Sequence, residues 1–159
     1  MKKFLVLMLF SMNFLLFGCQ SEENNHSSIH KTPNGDIRER TASVEELPSF
    51  LSDKHENIVT IYKAASKHEQ LLRSIPCYCG CAQSANHRDN FECFVHEIKD
   101  NGEVVWDDHG TKCNICLEIA AKSIVEYEKG KSILEIRNLI DEQYKNGYPE
   151  PTPTPMPKA

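Results

Sequence analysis

At 159 residues, 40% apolar and 26% charged, the chain has the length and composition of one ordinary globular domain. A net charge of −5, with no basic stripe carrying interleaved aromatics, leaves nucleic-acid binding without its electrostatic footprint. No Gly-x-Ser-x-Gly, His-Glu-x-x-His or phosphate-binding glycine loop occurs, which argues against an ordinary hydrolase; what departs from the average is seven cysteines.

Residues 1–18 read as a signal peptide. Lys2 and Lys3 precede an apolar run from Phe4 to Phe17, interrupted by Ser11 and Asn13, that is short for a membrane span. The run ends in Leu16-Phe17-Gly18-Cys19, which resembles the lipobox of bacterial lipoproteins, where the cysteine receives a diacylglycerol through its sulfur before cleavage. That resemblance implies a mature chain starting at Cys19, lipid-anchored to the cell membrane on its extracytoplasmic face. Two acyl chains anchor stably where one would not. The alternative is a plain signal peptide followed by a chance cysteine.

Residues 19–43 are polar, with a Pro-Asn-Gly turn signal and only two isoleucines, too little apolar surface to offset the entropy of ordering. They read as a flexible tether reaching roughly 25–30 Å. Residues 44–148 are the expected domain, and residues 149–159, PEPTPTPMPKA from Pro149 on in its proline-rich pattern, are expected to be extended and unpacked.

Within the domain the spacing predicts three helices. In the first, Ile58, Ile61, Tyr62, Ala65, Leu72 and Ile75 keep helical period, Ser52 or Asp53 can cap the start, and Pro76 stops it. His68 falls on that stripe as a packed residue. The second opens at Thr111 as N-cap and runs to Gly130, with Cys113, Cys116, Leu117, Ala120, Ile124 and Tyr127 on one face. The third follows at once: Ser132-x-x-Glu135 is a capping-box pattern ahead of Ile133, Ile136, Ile140 and Tyr144. Between the first two, CFVHEIKDNGEVVW favours β-structure on both sides of Asn101-Gly102, a pair suited to a type I′ turn. Centring the turn there pairs Asp100 with Glu103, sets Phe94 opposite His109, and brings Cys93 near Cys113. The expected fold is therefore α-rich, a small three-helix domain with a short hairpin and a cysteine-rich loop.

Six cysteines remain after Cys19: Cys77, Cys79, Cys81, Cys93, Cys113 and Cys116, with His87 and His109 nearby. Pro76 presents the first three at a helix tip, and Cys113 and Cys116 open another helix, so one sulfur-rich pocket is the economical arrangement. Three chemistries compete for it. An even count of six in a small exported domain suits three disulfides, although Cys-x-Cys spacing sets Cα atoms about 6.6 Å apart, near the upper limit for a bridge. Clustered thiolates with imidazole also suit a soft metal, copper(I) or zinc; six thiols favour copper(I), and zinc would take four of the eight donors. Finally, Cys113-x-x-Cys116 at a helix start can be a thiol–disulfide exchange pair, a weak match outside a βαβ setting. His109 is the better placed imidazole, since Asp107-Asp108 can orient its ring, and His87 lies in a polar loop within reach.

PCYCGC at Pro76–Cys81, followed by His87, Cys93-Phe94, Asp108-His109-Gly110 and Cys113-x-x-Cys116, resembles a bacterial family of small lipoproteins named for the PCYCGC motif. The resemblance spans roughly Leu47 to Tyr144. It implies a shared sulfur site and surface anchoring, and no activity. Together these readings lead to an anchored metal-binding protein with Cys77, Cys79, Cys81, Cys93, Cys113, Cys116, His109 and His87 as candidate ligands. The membrane is held through diacylglycerol at Cys19, and a membrane metal-handling or redox protein is the expected partner. A disulfide-stapled interaction module and an oxidoreductase using Cys113 and Cys116 are the alternatives.

Overall fold

The computed structural model describes residues 28–158, so Cys19 and the signal segment lie outside the described residues. The elements are β1 (Ile29–Lys31), β2 (Ile37–Thr41), α1 (Glu56–Lys67), α2 (Glu69–Leu72), α3 (Cys81–Ser84), β3 (Val95–Ile98), β4 (Val104–Asp107), α4 (Asn114–Glu128) and α5 (Ile133–Tyr144). The strands form one antiparallel sheet in the order β1-β2-β4-β3. Among the described residues no helix is long and apolar enough to cross a membrane.

The α-rich expectation is corrected by this sheet: the domain is mixed α/β, with four strands instead of a lone hairpin and five α-helices instead of three among the described residues. Half of the sheet comes from the stretch read as tether. The reason is chemical. β2 turns Glu39 and Thr41 inward, and neither reads as core. The Glu39 carboxylate accepts from Ser49 N (2.8 Å), Ser49 Oγ (2.8 Å) and Phe50 N, while Thr41 Oγ1 accepts from the Trp106 indole at 2.8 Å. A strand whose buried positions are hydrogen-bonded polar groups shows no hydrophobic alternation, so composition misplaces it.

Asn34-Gly35 and Asn101-Gly102 make turns, but with three-residue loops. Gly35 N donates to Thr32 O and Gly102 N to Lys99 O, each at 2.9 Å, and both glycines sit at positive φ (91° and 88°). This is a type I turn closed by a left-handed glycine, not the two-residue type I′ turn. Lys99 therefore faces Glu103, Ile98 pairs with Val104, and a bulge shifts Val95 onto Trp106. Phe94 O accepts from Asp107 N, so the expected pairing of Phe94 with His109 is off by two residues.

The first helix breaks at His68, which leaves helical backbone (φ −119°, ψ 39°) and becomes the C-cap of α1. Its Nδ1 donates to Ala64 O at 2.7 Å and its Nε2 meets Glu128 at 3.0 Å, so the ring itself stabilises the break. His55, not Ser52 or Asp53, caps the start, accepting from Asn57 N. α4 starts two residues later than expected: Thr111 lies in a 3-10 turn over Asp108–Lys112, and Cys113 takes the N-cap position. The Ser132–Glu135 capping box forms at α5 as the pattern predicts.

α4 packs against α1, α2 and α5. The core joins these helices to β4 through Trp106, Tyr62 and Phe94, all fully buried, with the Tyr62 and Phe94 rings edge-to-face at 5.1 Å. Tyr62 Oη donates to Asp107 O at 2.9 Å. The proline-rich tail is also docked. Thr152 and Thr154 are buried between exposed prolines. Thr152 N donates to Cys77 O and Cys77 N donates to Thr152 Oγ1, both at 2.9 Å. Thr154 Oγ1 donates to Arg88 O, and Arg137 Nη1 donates to the Thr154 and Pro155 carbonyls. Extended Pro-Thr alternation makes this possible, since every second residue has no N–H to satisfy and can face water.

Candidate metal centre

The three-cysteine loop begins where Pro76 ends the α2 segment and its backbone is clasped by Thr152. Gly80 then turns the chain at φ 84°, so that Cys81 opens α3. Cys77 and Cys79 remain together, with sulfurs 3.3 Å apart. Cys116, in the first turn of α4, puts its sulfur 3.3 Å from Cys77 and 3.4 Å from Cys79. Cys93 ends a 3-10 turn over Phe91–Cys93, and its sulfur stands 3.9 Å from Cys81. Asn90 ties these pieces together: its N donates to Ile75 O (2.9 Å) and its Nδ2 to Cys116 O (3.2 Å). Cys77, Cys81, Cys93 and Cys116 are fully buried, while Cys79 and Cys113 are half-buried.

His87 is buried behind the loop, following Asn86 at positive φ (57°). Among the described residues neither of its ring nitrogens has a hydrogen-bond partner, and Nε2 faces Asp107 Oδ2 at 3.9 Å. The His109 ring meets it edge-to-face with centroids 4.8 Å apart. His109 is oriented by Asp36, whose Oδ2 lies 3.0 Å from Nδ1. The expectation that Asp107-Asp108 would orient that ring is thus corrected: Asp107 Oδ1 accepts from the His109 backbone N at 3.0 Å, and Asp108 instead accepts from Ile37 N and Lys112. Lys112 also holds Asp36 at 3.0 Å, and Arg38 holds Asp107 at 2.9 Å.

The donor atoms fall into overlapping groups within 4.8 Å of one another: Cys77 with Cys81, Cys93 and Cys116; Cys79 with Cys81, His109 and Cys116; Cys81 with His87, Cys93 and His109. Cys113, half-buried at the N-cap of α4, adjoins Cys116, Cys79 and His109. All eight residues singled out in the sequence therefore come to one place. Cys93 is grouped with the sulfurs of Cys77, Cys81 and Cys116 and with the imidazoles of His87 and His109, where the expected register had suggested Cys113. Asp36, Asn90 and Thr152 support the site and carry no local sequence signal; only tertiary packing brings them in.

All six thiols are free, and their closest approach of 3.3 Å is well beyond the roughly 2.05 Å of a disulfide. Ligand bonds of about 2.3 Å in a tetrahedron require sulfurs about 3.8 Å apart, a separation these positions bracket. The adjoining Cys116 and Cys79 sulfurs favour the Cys77 thiolate, pulling that thiol down to about 5. The nearby Cys116 and Cys77 sulfurs act likewise on Cys81, and Cys116, Cys79 and His109 on Cys113. Cys116, donor to this set, is pushed up, and burial pushes up Cys93. Burial works against a charged His109, yet Cys113, Cys79 and Asp36 outweigh it and raise the ring to about 11. The clustered cysteines and histidines can hold a metal ion.

Residues 8–157 match the family described as "Protein of unknown function with PCYCGC motif", and the chain belongs to that family. No curated protein and no solved structure matches it.

Proposed function

We propose that this protein is a lipid-anchored, extracytoplasmic metal binder. It holds a soft cation, copper(I) before zinc, for buffering, sensing or hand-off to a membrane metal-handling protein. The supporting observation is the triangle of Cys77, Cys79 and Cys116, with sulfurs 3.3–3.4 Å apart and further sulfurs around it. Three close thiolates suit a small soft ion of low coordination number. The anchor rests on Leu16-Phe17-Gly18-Cys19.

The test uses protein made with its own signal segment in its own compartment and purified without reductant or chelator. Intact mass then reads lipid on Cys19 and the oxidation state of the six thiols, elemental analysis reads metal, and competition with a copper(I) chelator reads affinity. Stoichiometric copper displaced only by a strong chelator is the expected result. Six blocked sulfurs with no metal would refute it, and Cys113 and Cys116 alone cycling between thiol and disulfide would replace it with redox exchange.

A further inference from the structure

The donor set is larger than one ion can use. A closed soft-metal site takes four ligands at most, and eight converge here. They divide without sharing. Cys77, Cys79 and Cys116 form the tight triangle, and Cys113 adjoins Cys79 and Cys116. What remains is Cys81, Cys93, His87 and His109, mutually within 4.8 Å as a group of their own.

Resting on the metal-binding reading, we propose that the centre holds two ions: a soft monovalent ion in the all-sulfur pocket, and a divalent ion of the zinc class between Cys81, Cys93, His87 and His109. The independent observation is His87. An imidazole 3% exposed with neither nitrogen partnered among the described residues is costly to bury unless something occupies it. Each imidazole of the pair also has a carboxylate behind it: Asp36 on Nδ1 of His109 at 3.0 Å, and Asp107 at 3.9 Å from Nε2 of His87. A small tilt of the His87 ring gives one nitrogen to Asp107 and leaves the other for the ion. Carboxylate behind imidazole is how metal-binding histidines are oriented, and Arg38 and Lys112 fix these two carboxylates in turn. Charge selects the ion. Two thiolates and two neutral imidazoles around a divalent cation sum to zero, which suits a pocket whose cysteines and His87 are buried. The all-sulfur pocket, opening at half-buried Cys79 and Cys113, is the one from which an ion can be handed on.

Cadmium(II), a soft divalent probe that fills either kind of site, tests this by anaerobic titration of the full mature chain followed by cadmium NMR. Two equivalents and two resonances are expected, one in the all-sulfur range and one in the mixed sulfur–nitrogen range. H109A should lose the mixed resonance and one equivalent while keeping the other, and C79S should do the reverse. H87A is the second probe of the mixed site, with circular dichroism to show that each variant is folded. One equivalent in the wild-type chain, or H109A and H87A both retaining two, would overturn the two-ion arrangement and leave the proposed function standing. No uptake at all would overturn both.

Discussion

Replacing Thr152 by valine keeps the side chain's shape and deletes one hydroxyl, a minimal test of whether the tail belongs to the folded unit. That hydroxyl accepts from Cys77 N at 2.9 Å and shares a hydrogen with Thr154 Oγ1 at 2.9 Å. The variant strands the Cys77 N–H in a buried place, at a cost of about 1–3 kcal/mol. The backbone bond from Thr152 N to Cys77 O survives, so the loop should stay in place and stability should fall by that amount. Urea unfolding followed through the single tryptophan, Trp106, reads it directly. T152S is the control: it keeps the hydroxyl and loses one methyl, costing about 0.8 kcal/mol or less. If T152V unfolds within about 0.3 kcal/mol of the wild type, the tail is not held by this clasp and the reasoning fails.

Gly110→Ala should destabilise by about 1–3 kcal/mol and weaken metal binding, because an added Cβ would meet Phe94 at 2.7 Å and Cys93 O at 2.9 Å beside His109; an unchanged melting curve would refute that packing. T41V strands the Trp106 indole N–H and should cost about 1–3 kcal/mol by the same urea assay, whereas no loss would mean that β2 is not part of the core. Deleting residues 28–41 removes Glu39, Thr41 and Asp36 together, so cooperative unfolding should weaken or vanish; a chain unfolding like the wild type would restore the tether reading. Asp36→Asn removes the charge behind His109 and should lower affinity at the mixed site about 10–100-fold by chelator competition, and an unchanged affinity would show that Asp36 does not position the ring.

Much of the site was legible because it is written in residue types of narrow chemistry. Six thiols and two imidazoles grouped around a helix stop at Pro76 and the start of α4 pointed to one pocket, and the structure gathers all eight. The capping box at Ser132 was equally plain, since it depends on two side chains three residues apart. The register of β3 and β4 was not: a three-residue loop and a bulge each shift it by one, and Asn-Gly accommodates either loop length.

The sequence by itself determined the local facts: where helices α4 and α5 run, where the chain turns, and which side chains can bind a soft metal. Each depends on neighbours within a few positions, and periodicity or residue chemistry reports them. Only the tertiary structure decided that residues 29–41 complete a sheet, that the tail clasps Cys77, and that Asp36 stands behind His109. Those features rest on buried Glu39, Thr41, Thr152 and Asp36, polar residues whose burial is tolerable only because partners arrive from distant parts of the chain. A hydrogen-bonded interior leaves no hydrophobic pattern behind.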